Sequence, residues 1–128
     1  MIRPLYSLLL LGAQPLLRRK LRRRGLAEPG YLEHVGERFG HYDAAIDPGR
    51  LWIHAVSLGE TRAAAILLEA LRSRAPALRV LLTHGTATGR AEGAKLLRPG
   101  DAQAWLPWDT PQAVRRFLAH FRPTAGLL

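Results

Sequence analysis

Hydrophobic positions after residue 49 follow a repeating pattern of short apolar runs and longer amphipathic segments. The short runs, bounded by turn residues, predict four buried strands at residues 51–56, 78–83, 104–106 and 125–128. The amphipathic segments, with apolar residues three or four positions apart, predict helices at residues 61–74, about 90–97 and 110–121. Strands that alternate with helices are typical of a parallel sheet, so the pattern predicts an α/β domain over residues 50–128.

The same periodicity predicts which helix positions face the core. These positions are Ala64, Leu67, Leu68 and Leu71 in the first helix, and Val114, Phe117, Leu118 and Phe121 in the third. The other positions of both helices are mostly polar or small and are expected on the solvent side.

Two segments precede this domain. Residues 25–49 are polar and contain several Gly and Pro turn signals, which predicts a connector without long regular elements. Residues 1–24 combine an apolar stretch, at positions 5–17, with a basic run directly after it. We therefore divide the chain into a hydrophobic and basic arm (1–24), a connector (25–49) and the α/β domain (50–128).

Charge separates the arm from the rest of the chain. The 128 residues carry a net charge of +9, from 19 Lys and Arg against 10 Asp and Glu. Residues 1–24 hold seven of the basic residues and none of the acidic ones, whereas the remainder has 12 basic and 10 acidic residues. Positive charge concentrated in this way predicts an anionic partner for the arm rather than for the domain body.

The arm suits a membrane surface better than a membrane crossing. Its apolar stretch has 13 residues, fewer than the ~20 that a spanning helix needs. A signal peptide would carry its positive charge before the apolar stretch, not after it. We expect a helix in the membrane interface, with its basic side chains on anionic headgroups. Those side chains belong to Arg18, Arg19, Lys20, Arg22, Arg23 and Arg24.

Two other interpretations of the arm remain open. It could be a core helix followed by a solvated basic turn, or a nucleic-acid-binding tail. The tail is disfavoured because no aromatic residues interleave the arginines and the body has little excess positive charge. No nucleic-acid partner is therefore expected.

Missing residue types and spacings exclude several kinds of chemistry. The chain has no cysteine, which excludes a disulfide framework, a thiolate zinc site and a cysteine nucleophile. No two of the five histidines have the i, i+4 spacing of a helical metal site, so no metal site is predicted. The Gly-x-Ser-x-Gly elbow is absent, which disfavours a serine hydrolase.

Ligands of parallel α/β sheets bind beyond the carboxyl ends of the strands. The loops expected there are residues 57–60, 83–89 and 107–109. In the first loop Glu60 follows Gly59, which allows backbone to approach a ligand closely, and Glu60 is the leading candidate for a catalytic carboxylate. The same loop matches a helix capping box, with Ser57 as the cap and Glu60 as its reciprocal partner. The spacing leaves both roles open, and they are compatible.

The other two loops offer weaker signals. Residues 83–89 place hydroxyls and glycines before a predicted helix, where an anion could bind. They do not form a P-loop, because no Gly-Lys-Ser/Thr follows. Asp109 in the third loop is predicted either to cap the next helix or to line the site.

Four segments, taken together, resemble one enzyme family. Residues 52–60 (WIHAVSLGE) are similar to the signature of the 3-deoxy-D-manno-octulosonic acid (Kdo) transferases of lipopolysaccharide synthesis. Residues 36–40 (GERFG), 86–89 (TATG) and 106–109 (LPWD) resemble further motifs of that family in the same order. Trp108 stands where a tyrosine is typical.

The resemblance implies a fold, a reaction and a set of site residues. It implies a Rossmann-like parallel sheet with helices on both faces, the N-terminal half of a GT-B glycosyltransferase. That half binds a lipid A precursor, a second domain binds CMP-Kdo, and transfer inverts the anomeric centre without a metal or other cofactor. Glu60 aligns with the family's proposed general base. The implied acceptor-binding residues are Ser57, Gly59, Thr86, Thr88, Gly89 and Asp109.

The resemblance also implies a location and a limit. It places the chain on the cytoplasmic face of the bacterial inner membrane. The family continues after the fourth strand with an acidic motif and a donor domain, whereas this sequence ends at Leu128. We therefore expect the chain alone to be inactive in transfer. The alternative function is a non-catalytic peripheral membrane-binding α/β module.

Overall fold

A four-stranded parallel sheet forms the centre of the computed structural model, which describes residues 2–128. The strands are β1 (Leu51–His54), β2 (Val80–His84), β3 (Ala102–Trp105) and β4 (Ala125–Leu127). Their order in the sheet is β3-β2-β1-β4. All three pairings are parallel, with Leu51 opposite both Val80 and Ala125.

Four α-helices surround or precede the sheet. They are α1 (Ile2–Ala27), α2 (Leu58–Arg74), α3 (Ala87–Ala94) and α4 (Pro111–Phe121). Two short 3₁₀ segments, Pro29–Leu32 and Val35–Phe39, lie between α1 and β1. The predicted alternation of strands and helices, and the α/β fold class, are therefore confirmed.

The first face of the sheet is covered by α2 and by the segment that follows α3. Ile53 of β1 and Leu82 of β2 pack with Ala64 and Leu68 of α2. Leu96, just after α3, closes the same cluster. Every residue of β2 is buried, as a strand covered on both faces requires.

The opposite face is covered by α4. Leu81 of β2 and Ala104 of β3 pack with Phe117 and Phe121 of that helix. Trp52 of β1 joins them, with its ring centroid 4.9 Å from that of Phe117. Helices therefore lie on both faces, as the resemblance implies.

The core faces of two helices differ from the predicted ones. In α2 the buried positions are Thr61, Ala64, Leu68 and Arg72. Leu67 is 41% exposed, because the buried stripe is rotated toward two polar residues that hydrophobic spacing does not identify. In α4, Leu118 is 44% exposed and the face is completed instead by Ala113.

Helix starts are set by side-chain caps. Ser57 caps α2, which begins three residues earlier than predicted. Thr110, not Asp109, caps α4, because its side chain accepts a hydrogen bond from the Ala113 N–H. The prediction that Asp109 caps this helix is therefore wrong.

The arm forms most of α1, which extends beyond residue 24 to Ala27. Its buried residues are Leu21 and Gly25. Leu21 packs with Tyr31 and Trp105, whereas most of the apolar side chains before residue 17 are exposed. None of the helices in residues 2–128 has both the length and the apolar character that a membrane crossing needs.

A buried ion pair joins α2 to the turn before β3. The side chains of Arg72 and Asp101 are 6% and 1% exposed and form a salt bridge. Arg72 also donates to the Leu96 carbonyl at 2.9 Å. The Asp101 carboxylate accepts from the backbone N–H of Val80 at 2.9 Å and of Arg98 at 2.7 Å. This carboxylate therefore fixes a helix, a turn and the start of β2 together.

A second polar group, His84, lies fully buried at the end of β2. Its Nδ1 lies 2.9 Å from the Ala55 carbonyl, so this nitrogen carries the proton and donates. Its Nε2 then accepts from the Gln103 amide at 3.0 Å. The same amide nitrogen donates to the Arg90 carbonyl at 2.7 Å, which fixes its orientation. The network accommodates only neutral imidazole, and burial lowers the pKa of His84 to about 4.

We predict that Asp101→Asn lowers the free energy of unfolding by about 3–5 kcal/mol, because it leaves the Arg72 charge buried without a partner. The measurement is urea unfolding of the 128-residue chain at pH 7.5. Glu92→Gln is the control, since it removes a carboxylate from an exposed pair with Lys95, and it should change stability little. Equal effects of the two substitutions would contradict the structural role of Asp101.

We also predict that His84 makes the fold sensitive to acid. Its pKa is about 4 in the folded chain and about 6.5 when unfolded. Between these two pKa values the unfolded state therefore binds more protons than the folded state. The free energy of unfolding should be highest above about pH 6.5 and should fall continuously towards pH 4. Burial also lowers the pKa values of His54 and His120, so they contribute in the same direction.

Urea midpoints measured between pH 7.5 and pH 4.5 test this dependence. In His84→Asn the side-chain amide can still donate to the Ala55 carbonyl but does not titrate. The slope of stability against pH should therefore be smaller in this variant than in the native chain. An unchanged slope would show that His84 does not carry the effect.

Candidate functional site

The loops after β1, β2 and β3 meet at the carboxyl edge of the sheet. The Val56 carbonyl accepts hydrogen bonds from the backbone N–H of Gly85 at 3.1 Å and of Thr86 at 3.0 Å. The Leu106 N–H donates to the His84 carbonyl at 3.1 Å. β1 lies between β2 and β4 in the sheet, so the chain changes direction across the sheet at β1, and ligands of such sheets bind at this point.

Glu37, in the second 3₁₀ segment, attaches the connector to this edge. Its Oε2 accepts from the Trp105 backbone N–H at 2.9 Å and from Arg90 Nη1 at 2.7 Å. The contact joins the connector to the end of β3 and to α3. Glu37 belongs to the segment GERFG (36–40), and nothing in the local pattern of that segment indicates this role.

Arg38 lies beside it and is 4% exposed. Its guanidinium carbon is 4.1 Å from the ring centroid of Trp105 and 5.4 Å from that of Trp108. Nη2 donates to the Gly85 carbonyl at 3.2 Å, while the Arg38 carbonyl accepts from the Trp108 N–H at 2.8 Å. Burial lowers the pKa of Arg38 to about 10, which leaves the side chain charged at neutral pH.

A cavity of about 300 Å³ opens between α1 and the three loops. Lys20 and Arg24 of α1 line one side. Arg38, Val56 and Trp108 line the sheet side. We call this space the edge cavity.

His54, the last residue of β1, also lines the edge cavity. Its Nδ1 lies 2.9 Å from Thr83 Oγ1 and 3.2 Å from the Thr83 carbonyl. Burial lowers its pKa, and the neighbouring Glu60 carboxylate opposes that shift. The imidazole is therefore held in place from its Nδ1 side.

Glu60 occupies the first turn of α2 and is exposed. Its Oε2 accepts from the Val56 N–H at 2.5 Å. Its own N–H donates to Ser57 Oγ at 3.4 Å. The capping arrangement is therefore present, but the carboxylate reaches Val56, one residue before the cap. Val56 lines the edge cavity, and Glu60 contacts Val56 through this hydrogen bond without itself lining the cavity.

The remaining candidates in the first two loops differ in exposure. Gly59 is exposed, and a Cβ at this position would meet no atom within 4 Å. Thr88 is also exposed. Thr86 Oγ1 is engaged internally, since it donates to the Val56 carbonyl at 3.0 Å and accepts from Gly89 N–H at 3.1 Å.

Gly89 has a packing role. It is buried, and a Cβ there would lie 3.0 Å from the carbonyl oxygen of Val56 and 3.0 Å from the carbonyl carbon of Ser57. This close approach brings α3 against the first loop. A glycine at position 89 therefore allows the close packing at this edge of the sheet.

Asp109 is exposed and lies away from the other candidates. It borders a different groove, between the first turns of α1 and the start of α4, together with Tyr6 and Arg115. The structure thus brings Ser57, Glu60 and Thr86 around Val56 but does not place Asp109 with them.

The predicted membrane-binding residues on α1 are all exposed. Two of them also contact the body, since the guanidinium carbon of Arg18 is 4.1 Å from the Phe39 ring centroid and that of Arg24 is 5.5 Å from the Tyr31 ring centroid. Exposed apolar side chains precede this basic run on the same helix. They are Ile2, Leu5, Tyr6, Leu8, Leu9, Leu11 and Leu16.

Comparison with known proteins agrees with the resemblance seen in the sequence. A family model described as 3-deoxy-D-manno-octulosonic-acid transferase (kdotransferase) matches residues 33–128. A transferase of that name from Bordetella pertussis is 47% identical over 98% of this chain and 31% of its own length. No solved structure gives a significant match.

Two further relatives extend the comparison. A probable mitochondrial 3-deoxy-D-manno-octulosonic acid transferase from Arabidopsis thaliana is 37% identical over 97% of this chain and 28% of its own length. The Haemophilus influenzae transferase is 32% identical over 92% of this chain and 28% of its own length. The chain thus spans about 30% of the length of these relatives. The family match and the observed fold lead to one conclusion: the chain belongs to the 3-deoxy-D-manno-octulosonic acid transferase family.

Proposed function

We propose that this chain is the acceptor-binding part of a glycosyltransferase that moves Kdo from CMP-Kdo to a lipid A precursor. The observation that carries the proposal is the exposed Glu60 carboxylate, which is bound to the N–H of Val56, a residue that lines the edge cavity, in a chain of this family. We further propose that the donor binds a second domain of the GT-B arrangement, since the relatives are about three times as long as this chain.

The proposed chemistry is a single displacement. Glu60 accepts the proton of an acceptor sugar hydroxyl as its oxygen attacks the anomeric carbon of Kdo. The bond between that carbon and the CMP phosphate oxygen breaks, and CMP leaves with the electron pair. One displacement inverts the anomeric centre. The Glu60 carboxylate suits this task because only one of its oxygens is hydrogen-bonded within residues 2–128, which leaves the other for the substrate proton.

The candidate acceptor-binding residues divide into two groups in this proposal. Gly59 and Thr88 are exposed and are proposed to contact the acceptor at the first two loops. Asp109 is exposed in the separate groove between α1 and α4 and is proposed to contact a more distant part of the acceptor. Ser57, Thr86 and Gly89 are proposed to act mainly by fixing the loops, because their hydrogen bonds and packing are internal. The family's reaction needs no metal or cofactor in this proposal.

We also propose that α1 holds the protein to the cytoplasmic face of the bacterial inner membrane. Its exposed apolar residues are followed by six exposed basic ones. An apolar surface that enters the interface and a basic surface that meets anionic headgroups are the two contributions that such anchors combine. An acceptor embedded in that membrane would then meet the edge cavity, which α1 itself lines.

We predict that Glu60→Gln lowers turnover by roughly 10²–10⁴-fold. The glutamine oxygen can still accept from the Val56 N–H but cannot take a proton at neutral pH, so the melting temperature should change little. The assay uses this chain fused to the remainder of the Bordetella pertussis relative, with CMP-Kdo and a lipid A precursor. The native fusion sets the reference rate.

Ser57→Ala is the matched control for that experiment. It removes the α2 cap, costs about 1 kcal/mol of stability and should leave more activity than Glu60→Gln leaves. Near-native turnover of a folded Glu60→Gln fusion would reduce Glu60 to a capping residue and favour the non-catalytic alternative.

For the membrane proposal we predict that a triple substitution of Arg19, Arg22 and Arg23 by Gln weakens binding to anionic vesicles about 100-fold. Each basic residue near such a surface contributes about 1 kcal/mol. Vesicle co-sedimentation at low and high salt measures the loss. The control substitutes three exposed arginines of the body, Arg62, Arg74 and Arg115. Equal losses in the two triple variants would refute a specific role for α1.

A further inference from the structure

The guanidinium of Arg38 is a buried charge without an ionic partner in the described part of the chain. Arg38 is 4% exposed, yet no carboxylate of residues 2–128 forms a salt bridge with it. The neighbouring carboxylate, Glu37, is bound to Arg90 instead. Buried charges in proteins are normally paired, so this one calls for an explanation.

Two N–H groups in this region, one of them in the guanidinium itself, also lack hydrogen-bond partners. Arg38 Nε and Trp108 Nε1 are buried and have no hydrogen-bond partner among the described residues. Both residues line the edge cavity. A buried N–H without an acceptor destabilises the fold, so an anion that reached these two donors from the cavity would form hydrogen bonds that the described residues do not supply.

The charged side chains that line the edge cavity are all positive. Lys20 and Arg24, four residues apart on α1, line the same cavity as Arg38. None of its twelve lining residues is acidic. Three cations around a small space, without a carboxylate among them, create a strong positive potential for an entering anion.

We infer that the edge cavity is a subsite for a phosphate monoester, held by Arg38 from the sheet side and by Lys20 and Arg24 from α1. A phosphate monoester carries nearly two negative charges and three acceptor oxygens. It therefore matches three cations better than a carboxylate, which has a single charge. The planar Arg38 guanidinium is held in position by the rings of Trp105 and Trp108 and by the Nη2 hydrogen bond to the Gly85 carbonyl, so its charge is preorganised for an anion. The cavity volume of about 300 Å³ leaves room for part of the sugar or lipid headgroup that bears the phosphate.

This subsite adds a ligand group to the acceptor role proposed for the same edge. Only the identity of its biological ligand rests on that proposed function. Its test measures binding, whereas the Glu60 test measures turnover. Loss of the phosphate subsite would therefore leave the base intact, and failure of Glu60 as the base would leave the subsite intact.

The first experiment titrates glucose 1-phosphate into the 128-residue chain by calorimetry at low salt, with glucose as the neutral comparison. We expect saturable binding of the phosphate ester and none of glucose. Arg38→Lys keeps the charge but loses the fork, and should weaken binding about tenfold or more. Lys20→Gln and Arg24→Gln alter only exposed positions of α1 and should each weaken binding several-fold.

Arg74→Gln is the matched control for the α1 variants. It removes one exposed helical arginine from the end of α2 and should leave Kd within twofold. The inference is overturned if Arg38→Lys binds like the native chain, or if Arg74→Gln weakens binding as much as Arg24→Gln. Either result would show a diffuse attraction to the basic surface. Circular dichroism confirms that each variant is folded.

A second experiment distinguishes a lipid headgroup from a free sugar phosphate. Phosphatidylcholine vesicles receive either phosphatidic acid, a monoester, or phosphatidylglycerol, a diester. If Arg38→Lys weakens binding to vesicles with phosphatidic acid more than to those with phosphatidylglycerol, the subsite is supported and its ligand is a lipid headgroup. If Arg38→Lys weakens binding only of glucose 1-phosphate, the subsite is supported and its ligand is a soluble sugar phosphate. No Arg38 dependence with either ligand rejects it.

Discussion

The Glu37 carboxylate holds together the parts of the molecule that form the candidate site. It accepts from the Trp105 N–H at the end of β3 and from Arg90 of α3. Because its partners lie 68 and 53 residues along the chain, this one group fixes the connector against the carboxyl edge of the sheet. Arg38 is thereby placed on the rings of Trp105 and Trp108, and α1 packs over the same region through Leu21.

The edge that results has two kinds of surface. Beside Val56, an exposed carboxylate can act on a proton, and across the edge cavity three cations can hold an anion. Both lie where parallel strands end, because the backbone pairing of β2 with β1 and β3 brings the loops after these strands together. In the proposed function, the carboxylate takes the proton of the acceptor hydroxyl and the three cations hold an anionic group of the acceptor.

Local patterns in the sequence were sufficient to predict the strands of the sheet and the N-cap of α2. Short apolar runs predicted both ends of all four strands to within two residues. The Ser57 cap was visible as a capping box, although Glu60 reaches Val56 and not the cap itself. These features depend on neighbours within a few positions, which periodicity and spacing describe well.

Contacts distant in sequence were not predictable in the same way. Arg72 lies on the core face of α2 because Asp101, 29 residues away, pairs with it, and no apolar pattern indicates such a partner. The predicted cap at Asp109 was wrong because Thr110 provides an equally suitable oxygen one position later. The burial of Arg38 was not predictable either, since it depends on Trp105 at the end of β3 and Trp108 in the loop that follows.

The account depends most on the claim that the acceptor binds at this edge. Nuclear magnetic resonance of the ¹⁵N-labelled chain tests it directly, through the Trp108 indole N–H and the Arg38 Nε–H, which have no hydrogen-bond partner within residues 2–128. Adding a lipid A precursor in micelles should shift both signals downfield, together with the amides of Gly59 and Thr88, relative to micelles alone. Unchanged Trp108 and Arg38 signals, with shifts confined to the apolar half of α1, would contradict the account.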